Sequence, residues 1–215
     1  MLGASARGHV VSLAIVRAVS CHRSASTSGW AQSQEVRAFA RSMDEHGAIV
    51  EAVVAARGAE GYASPCPVVG ASVGAHLRHS LEHARCCADA VAALRAGEAA
   101  PVARYDARER DEALETDPAR AIAYAAAVRD AVLAGAGLDL DAAVRAEFAL
   151  SADAADGDVA LPSTVRRELA FVAHHATHHF AMINLIAKGH LAMDLREGLG
   201  RAPATRRDDA AKHKR

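Results

Sequence analysis

Between residues 171 and 183 the chain reads FVAHHATHHFAMI, which places His174, His175, His178 and His179 within six positions of an apolar, helix-like pattern. A second cluster, SVGAHLRHSLEH over residues 72–83, spaces His76, His79 and His83 at i, i+3 and i+7. Seven of the chain's 12 histidines thus fall on two short stretches. On a helix, residues four apart share a face while adjacent residues diverge by about 100°. His175 and His179 therefore form one vertical pair and His174 and His178 another, and only one pair can point straight into a helical interior. The three histidines of the second cluster share a face of their own helix.

Two imidazoles at i, i+4 can each place a nitrogen about 2.0–2.1 Å from one divalent ion. A third imidazole from a different helix completes a facial set that leaves coordination positions for water or substrate, the pattern of a catalytic rather than a structural site. The plainer alternatives are hydrogen-bonded core histidines or solvent-facing ones. Clustering speaks against both, because each buried imidazole needs a partner and exposed ones have no reason to gather. The His-Glu-x-x-His motif of zinc proteases is absent, and no Glu is followed by a His three residues later. That second absence removes the signature of carboxylate-bridged di-iron bundles. A mononuclear, histidine-rich site remains.

Four helices are expected to position these residues. Ile49, Val50, Val53 and Val54 give a helical pattern from Glu35 to about Arg57, stopped by Gly58. Ser72 is a good N-cap for a second helix that runs to Gly97, after the Gly/Pro loop of residues 58–70. Asp117 as N-cap and Pro118 at the first helical position open a third, ending at Gly135. Ser163 is placed to cap the fourth, which carries the histidines and stops at Gly189. The charged stretch 98–117 reads as a connector with a short helical piece. Before the last helix, Val144, Ala146, Phe148 and Leu150 alternate, and Asp156-Gly157-Asp158 offers a turn, so a small hairpin or irregular insertion is expected there. The expected fold class is all-α, a four-helix bundle with that one insertion.

The totals agree with one domain plus extensions. The chain has 215 residues, 51% hydrophobic and only 4% aromatic, so its core must be built mainly from Ala, Val and Leu. A formal net charge of -1 gives no reason to expect nucleic acid or an anionic membrane as partner. No apolar run approaches the ~20 residues that span a bilayer. Cys21, Cys66, Cys86 and Cys87 form no CxxC pair, which suits a reducing intracellular compartment; Cys86 and Cys87 read as small packing residues. Residues 1–34 contain arginines and serines but no acid before Glu35. Residues 1–42 are therefore set aside as a leader, either an organellar transit peptide or an over-extended start ahead of Met43. Residues 43–206 form the expected domain and 207–215 a charged tail. The expected location is the cytoplasm, or an organelle if the leader is a transit peptide.

Taken in order, SVGAHLRHSLEH, ARYDARERDEALETDPARAI, RELAFVAHHATHHFAMI and LGRAPAT resemble the DinB/YfiT-like superfamily of metalloenzymes over roughly residues 43–206. The resemblance implies a four-helix bundle and a divalent metal held by three histidines, one from the second helix and two from the last. Carried onto this chain, the ligands would be His79, His175 and His179. His76 and His83 are alternative second-helix ligands, and His178 and His174 would line or support the site. Glu82 could hydrogen-bond a ligand imidazole, or be a helix-surface carboxylate. Tyr105 and Arg108, in the connector, could reach over the mouth toward a substrate; a solvated connector is the simpler reading.

The function this implies is metal-dependent activation of water or a thiol, for hydrolysis or thiol-dependent transfer on a small molecule. The metal could be Zn, Ni, Fe or Mn, since a three-histidine set accepts any of them. A non-catalytic alternative is a metal-binding or stress-response bundle that mainly dimerises as a homodimer. A hemerythrin-like oxygen or iron binder fits less well, because carboxylates are scarce on the two histidine faces.

Overall fold

The computed structural model describes residues 27–107 and 110–212. Among them are seven helices: α1 (Thr27–Gln32), α2 (Gln34–Ala63), α3 (Val73–Arg95), α4 (Ala113–Thr116), α5 (Pro118–Leu133), α6 (Val165–Gly189) and α7 (Pro203–Lys212). Three strands, β1 (Val102–Arg104), β2 (Ala143–Phe148) and β3 (Val159–Thr164), form one sheet in the order β1-β2-β3. The all-α expectation is therefore overturned: the fold is mixed, with a three-stranded sheet beside its helices. β2 and β3 are antiparallel, with Ala143 opposite Thr164 and Phe148 opposite Val159. They are the expected hairpin, although its connection contains a short 3-10 turn (Ala154–Asp156) before Gly157. Gly157 has φ 66°, a left-handed conformation that suits glycine. Leu150 lies past the end of β2 and is exposed rather than part of the alternation. The connector contains the expected short helical piece, α4, but also β1, which was not expected and pairs in parallel with β2, Val102 opposite Arg145. A strand of three residues is too short to show a period-two pattern, so charged neighbours masked it.

Local chemistry explains the helix ends. Ser72, Asp117 and Thr164 each accept a hydrogen bond from a backbone N–H of the first turn, to Ala75, Arg120 and Arg167 respectively. The cap of α6 is thus Thr164, while Ser163 donates its hydroxyl to Glu168 instead. Gly58 does interrupt helical geometry, at φ 69° and ψ -178°, but the chain turns back into helix to Ala63.

The four long helices close a ring: α2 packs on α5 and α6, and α3 packs on the same two. The core has two apolar clusters. One gathers Phe39, Met43, Leu81, Tyr105, Val128, Leu169 and Val172; the other gathers Ile49, Val53, Leu77, Leu114, Ala121, Phe180 and Ile183. Along α2 and α6 the chain passes from the first cluster to the second, and along α3 and α5 in the reverse order. The first two helices therefore run one way and the other two the opposite way. Between the clusters each of α2, α3 and α6 contributes polar residues: Ser42 and His46, then His79 and Ser80, then His175 and His179. A polar layer thus lies between the two apolar clusters, and Glu82 and Glu168 are buried besides.

Ahead of Met43, Trp30, Val36 and Phe39 are buried, and the Trp30 indole N–H donates to the Val132 carbonyl (3.0 Å), so these side chains join the core. Residues 1–26 lie outside the described residues. At the other end, Arg207 to Lys212 of the expected tail continue α7 from Pro203. Among the described residues no helix is long and apolar enough to cross a membrane.

Candidate metal centre

His79 comes from α3, and His175 and His179 from successive turns of α6. One ligand nitrogen from each lies within 4.8 Å of the other two, and His179 is buried while the others are half-buried. The His175 and His179 Nε2 atoms are 3.1 Å apart. Two nitrogens about 2.0–2.1 Å from a shared ion, at roughly tetrahedral to octahedral angles, would lie about 2.9–3.4 Å apart. The observed separation fits, and the donor set is all imidazole. The rings meet at 4.7 Å between centroids for His79 and His179, and 5.2 Å for His79 and His175. This three-histidine group can hold a metal ion.

Burial, followed by the neighbouring His175, His79, His76 and His178, holds the His179 imidazole down to about 2. Its neutral form dominates across physiological pH, the form a metal ligand requires.

The other expected residues separate around this group. His76 sits one turn before His79 and brings its Nδ1 to 3.1 Å from the His179 Nδ1. Its Nε2 is buried with no hydrogen-bond partner among the described residues. Burial, then the nearby His178, lowers its pKa. His83 donates through Nδ1 to the His79 carbonyl (3.0 Å), and its ring stacks on His175 at 4.4 Å. His178 is exposed and meets His179 edge-on at 5.1 Å. Glu82 accepts from Arg78 (2.9 Å) and from the Asp111 backbone N–H (3.0 Å). It is a buried anchor for the connector, tied through Arg78 to Glu115 of α4 (2.6 Å).

Tyr105 is not at a mouth. It is fully buried, stacked between His83 (5.4 Å) and Phe148 (5.1 Å), and it donates to Glu168 Oε2 at 2.6 Å. Its placement follows from β1, which carries the chain into the interior just before it. Arg108 lies outside the described residues. His174 is exposed and lines a different cavity, between α6, α2 and the C-terminal segment.

Two participants escaped the sequence reading. Glu168 is buried, and it accepts from Tyr105, from Ser163 and from Arg167 (2.8 Å). It lies seven residues before His175, so helical phase puts it on the ligand face, a signal that was present in the sequence. His46, on α2, hydrogen-bonds through Nδ1 to the Ser42 carbonyl (2.6 Å) and through Nε2 to Ser80 Oγ (2.9 Å). Burial lowers it to about 4, against the raising effect of the Ser42 bond. No spacing signal marked it, because its partner Ser80 is on another helix.

Comparison of the chain with protein-family models, with curated protein sequences and with solved structures gave no match.

Proposed function

We propose that His79, His175 and His179 hold a divalent metal ion and that the chain is a metal-dependent enzyme of the DinB/YfiT-like type. Its reaction would be hydrolysis or thiol-dependent transfer on a small molecule. The observation that carries this reading is the convergence of three imidazoles from two helices, with the 3.1 Å separation of the α6 pair. A divalent ion held by three imidazoles supplies Lewis acidity and lowers the pKa of a bound water or thiol.

The chain's own residues supply the rest. His83 commits its Nδ1–H to the His79 carbonyl, so its Nε2 carries the lone pair and can accept a proton beside the site. The same bond holds the backbone of a ligand residue in place. Stacking of His83 on His175 restrains the orientation of that second ligand. His178, exposed beside His179, is on the solvent side, where an incoming substrate arrives.

The test is metal analysis of protein expressed in metal-replete medium, combined with a screen for hydrolysis and thiol transfer. One equivalent of a divalent metal is expected in the wild type and a large loss in His79→Ala and His179→Ala. Metal-free wild type would overturn the reading. Bound metal with no activity in the screen, and a changed melting temperature only, would reduce it to a structural site.

A further inference from the structure

A second site lies on the opposite side of α6 from the ligand pair. Residues Ala170, Ala173, His174 and Thr177 repeat at i, i+3, i+4 and i+7, and they form one wall of a cavity of about 690 Å³. α2 supplies a second wall through Gln34, Ala38, Arg41 and Ala48, and the segment from Arg196 to Arg206 closes it. The volume falls in the range of small-molecule sites, about 300–1,000 Å³. None of the three candidate metal ligands lines it.

Ala38 and Ala48 of α2 and Ala170 and Ala173 of α6 line the cavity, where larger side chains would narrow the gap between the two helices. Its closing segment is held close by Gly200. A Cβ there would lie 2.8 Å from the Ala181 Cβ and closer still to the Ala181 backbone, and φ is +75°. Gly198, also at φ +75°, lets the Arg206 side chain lie across it, 3.3 Å from where a Cβ would stand.

Charge on the walls is unbalanced in one direction. Each lining carboxylate already has an arginine: Glu35 has Arg166 (3.6 Å), Asp44 has Arg129 (2.6 Å) and Glu45 has Arg196 (2.8 Å). Arg201 is paired with Asp209 (2.6 Å). That leaves Arg41 and Arg206, and among the described residues neither has an ion-pair partner. Arg41 and Arg206, without an ion-pair partner among the described residues, thus line a cavity whose remaining walls include Ala38, Ala170, Ala173, Phe180 and Leu199. Guanidinium groups match oxyanions in geometry and charge, and the alanine, Phe180 and Leu199 surface suits a hydrocarbon body.

We propose that this cavity binds a small amphipathic organic carboxylate, with its oxyanion at Arg41 and Arg206 and its apolar part against the α2–α6 walls. The site is separate from the three-histidine group and does not depend on a metal there.

Calorimetric titration of the full chain with octanoate, 1-octanol and inorganic phosphate tests this. Saturable octanoate binding is expected, with octanol and phosphate each weaker by about tenfold or more. The double variant Arg41→Ala/Arg206→Ala, made at exposed positions, should lose octanoate binding by a similar factor. Ala173→Phe should lose it by filling the cavity, and His179→Ala should retain it. Absent binding in the wild type, equal affinity for octanol, phosphate binding without octanoate binding, or an unchanged affinity in the arginine double variant would each overturn the proposal.

Discussion

His175 and His179 bring their Nε2 atoms to 3.1 Å, one helical turn apart on α6, and His79 from α3 closes the triangle. Without an ion, that contact is satisfied only if one ring carries its proton on Nε2 and the other does not. With a shared cation both nitrogens act as acceptors, so metal binding and ring protonation compete for the same atoms.

Metal should therefore stabilise the fold. At a free metal concentration 100 times its dissociation constant, binding adds about 2.7 kcal/mol. Thermal unfolding with and without a chelator should show this as a rise in Tm for the wild type. The same pair of scans on His175→Ala should coincide. A chelator-insensitive wild type would count against the site.

Acid sensitivity should come in part from His46. Its folded pKa of about 4 lies below the ordinary imidazole value of 6.5, because burial disfavours the cation. Above pH 6.5 both folded and unfolded states hold it neutral, and the fold bears no penalty. As pH falls from 6.5 toward 4 the unfolded chain takes up the proton first, so stability declines through that window, by up to about 3 kcal/mol. Urea midpoints for wild type and His46→Gln at pH 7 and pH 5 check this. The variant should be less stable at pH 7 and lose less on acidification.

The Tyr105–Glu168 bond should be costly to remove. Both groups are buried, and the phenol O–H is one of the donors serving that carboxylate. Tyr105→Phe keeps the ring between His83 and Phe148 but deletes the donor. A loss of about 1.5–3 kcal/mol is expected, read as a lower urea midpoint with an unchanged m-value.

Two glycines in helices should respond in opposite directions to alanine. A Cβ on Gly74 would lie 2.8 Å from the Glu115 carbonyl carbon, and closer to its oxygen. That neighbour is backbone and cannot rotate away, so Gly74→Ala should separate α3 from α4 and destabilise by about 1–3 kcal/mol. Gly47, within α2, has nothing within 4 Å of such a Cβ. Gly47→Ala should stabilise by about 0.5–1 kcal/mol through helix propensity. Chemical denaturation of the two single variants compares them directly.

Much of the helical frame was legible in the chain because its signals are local. A Ser or Asp N-cap, a proline at the first helical position and an i, i+4 histidine pair each act within one or two turns, so spacing suffices to recognise them. The separation of His174 from His175 was of this kind: a 100° step sends one ring toward α3 and the other toward α2. The resemblance, not spacing, singled out the pair His175 and His179 over His174 and His178, and His79 from three histidines on a shared face.

The sequence by itself thus determined where the long helices form and which histidines of α6 can work as a pair. Only the tertiary structure decided the rest. It brought β1 beside β2 and made the class mixed, because the pairing of Val102 with Arg145, far along the chain, leaves no local periodicity. It built Trp30 and Phe39 into the core, since burial depends on which distant surfaces an early segment meets. It turned Tyr105 inward to Glu168, and it set Arg41 and Arg206 around one cavity. Each of these rests on contacts between residues far apart in the chain, and it is closure of the helices around the polar layer that brings them together.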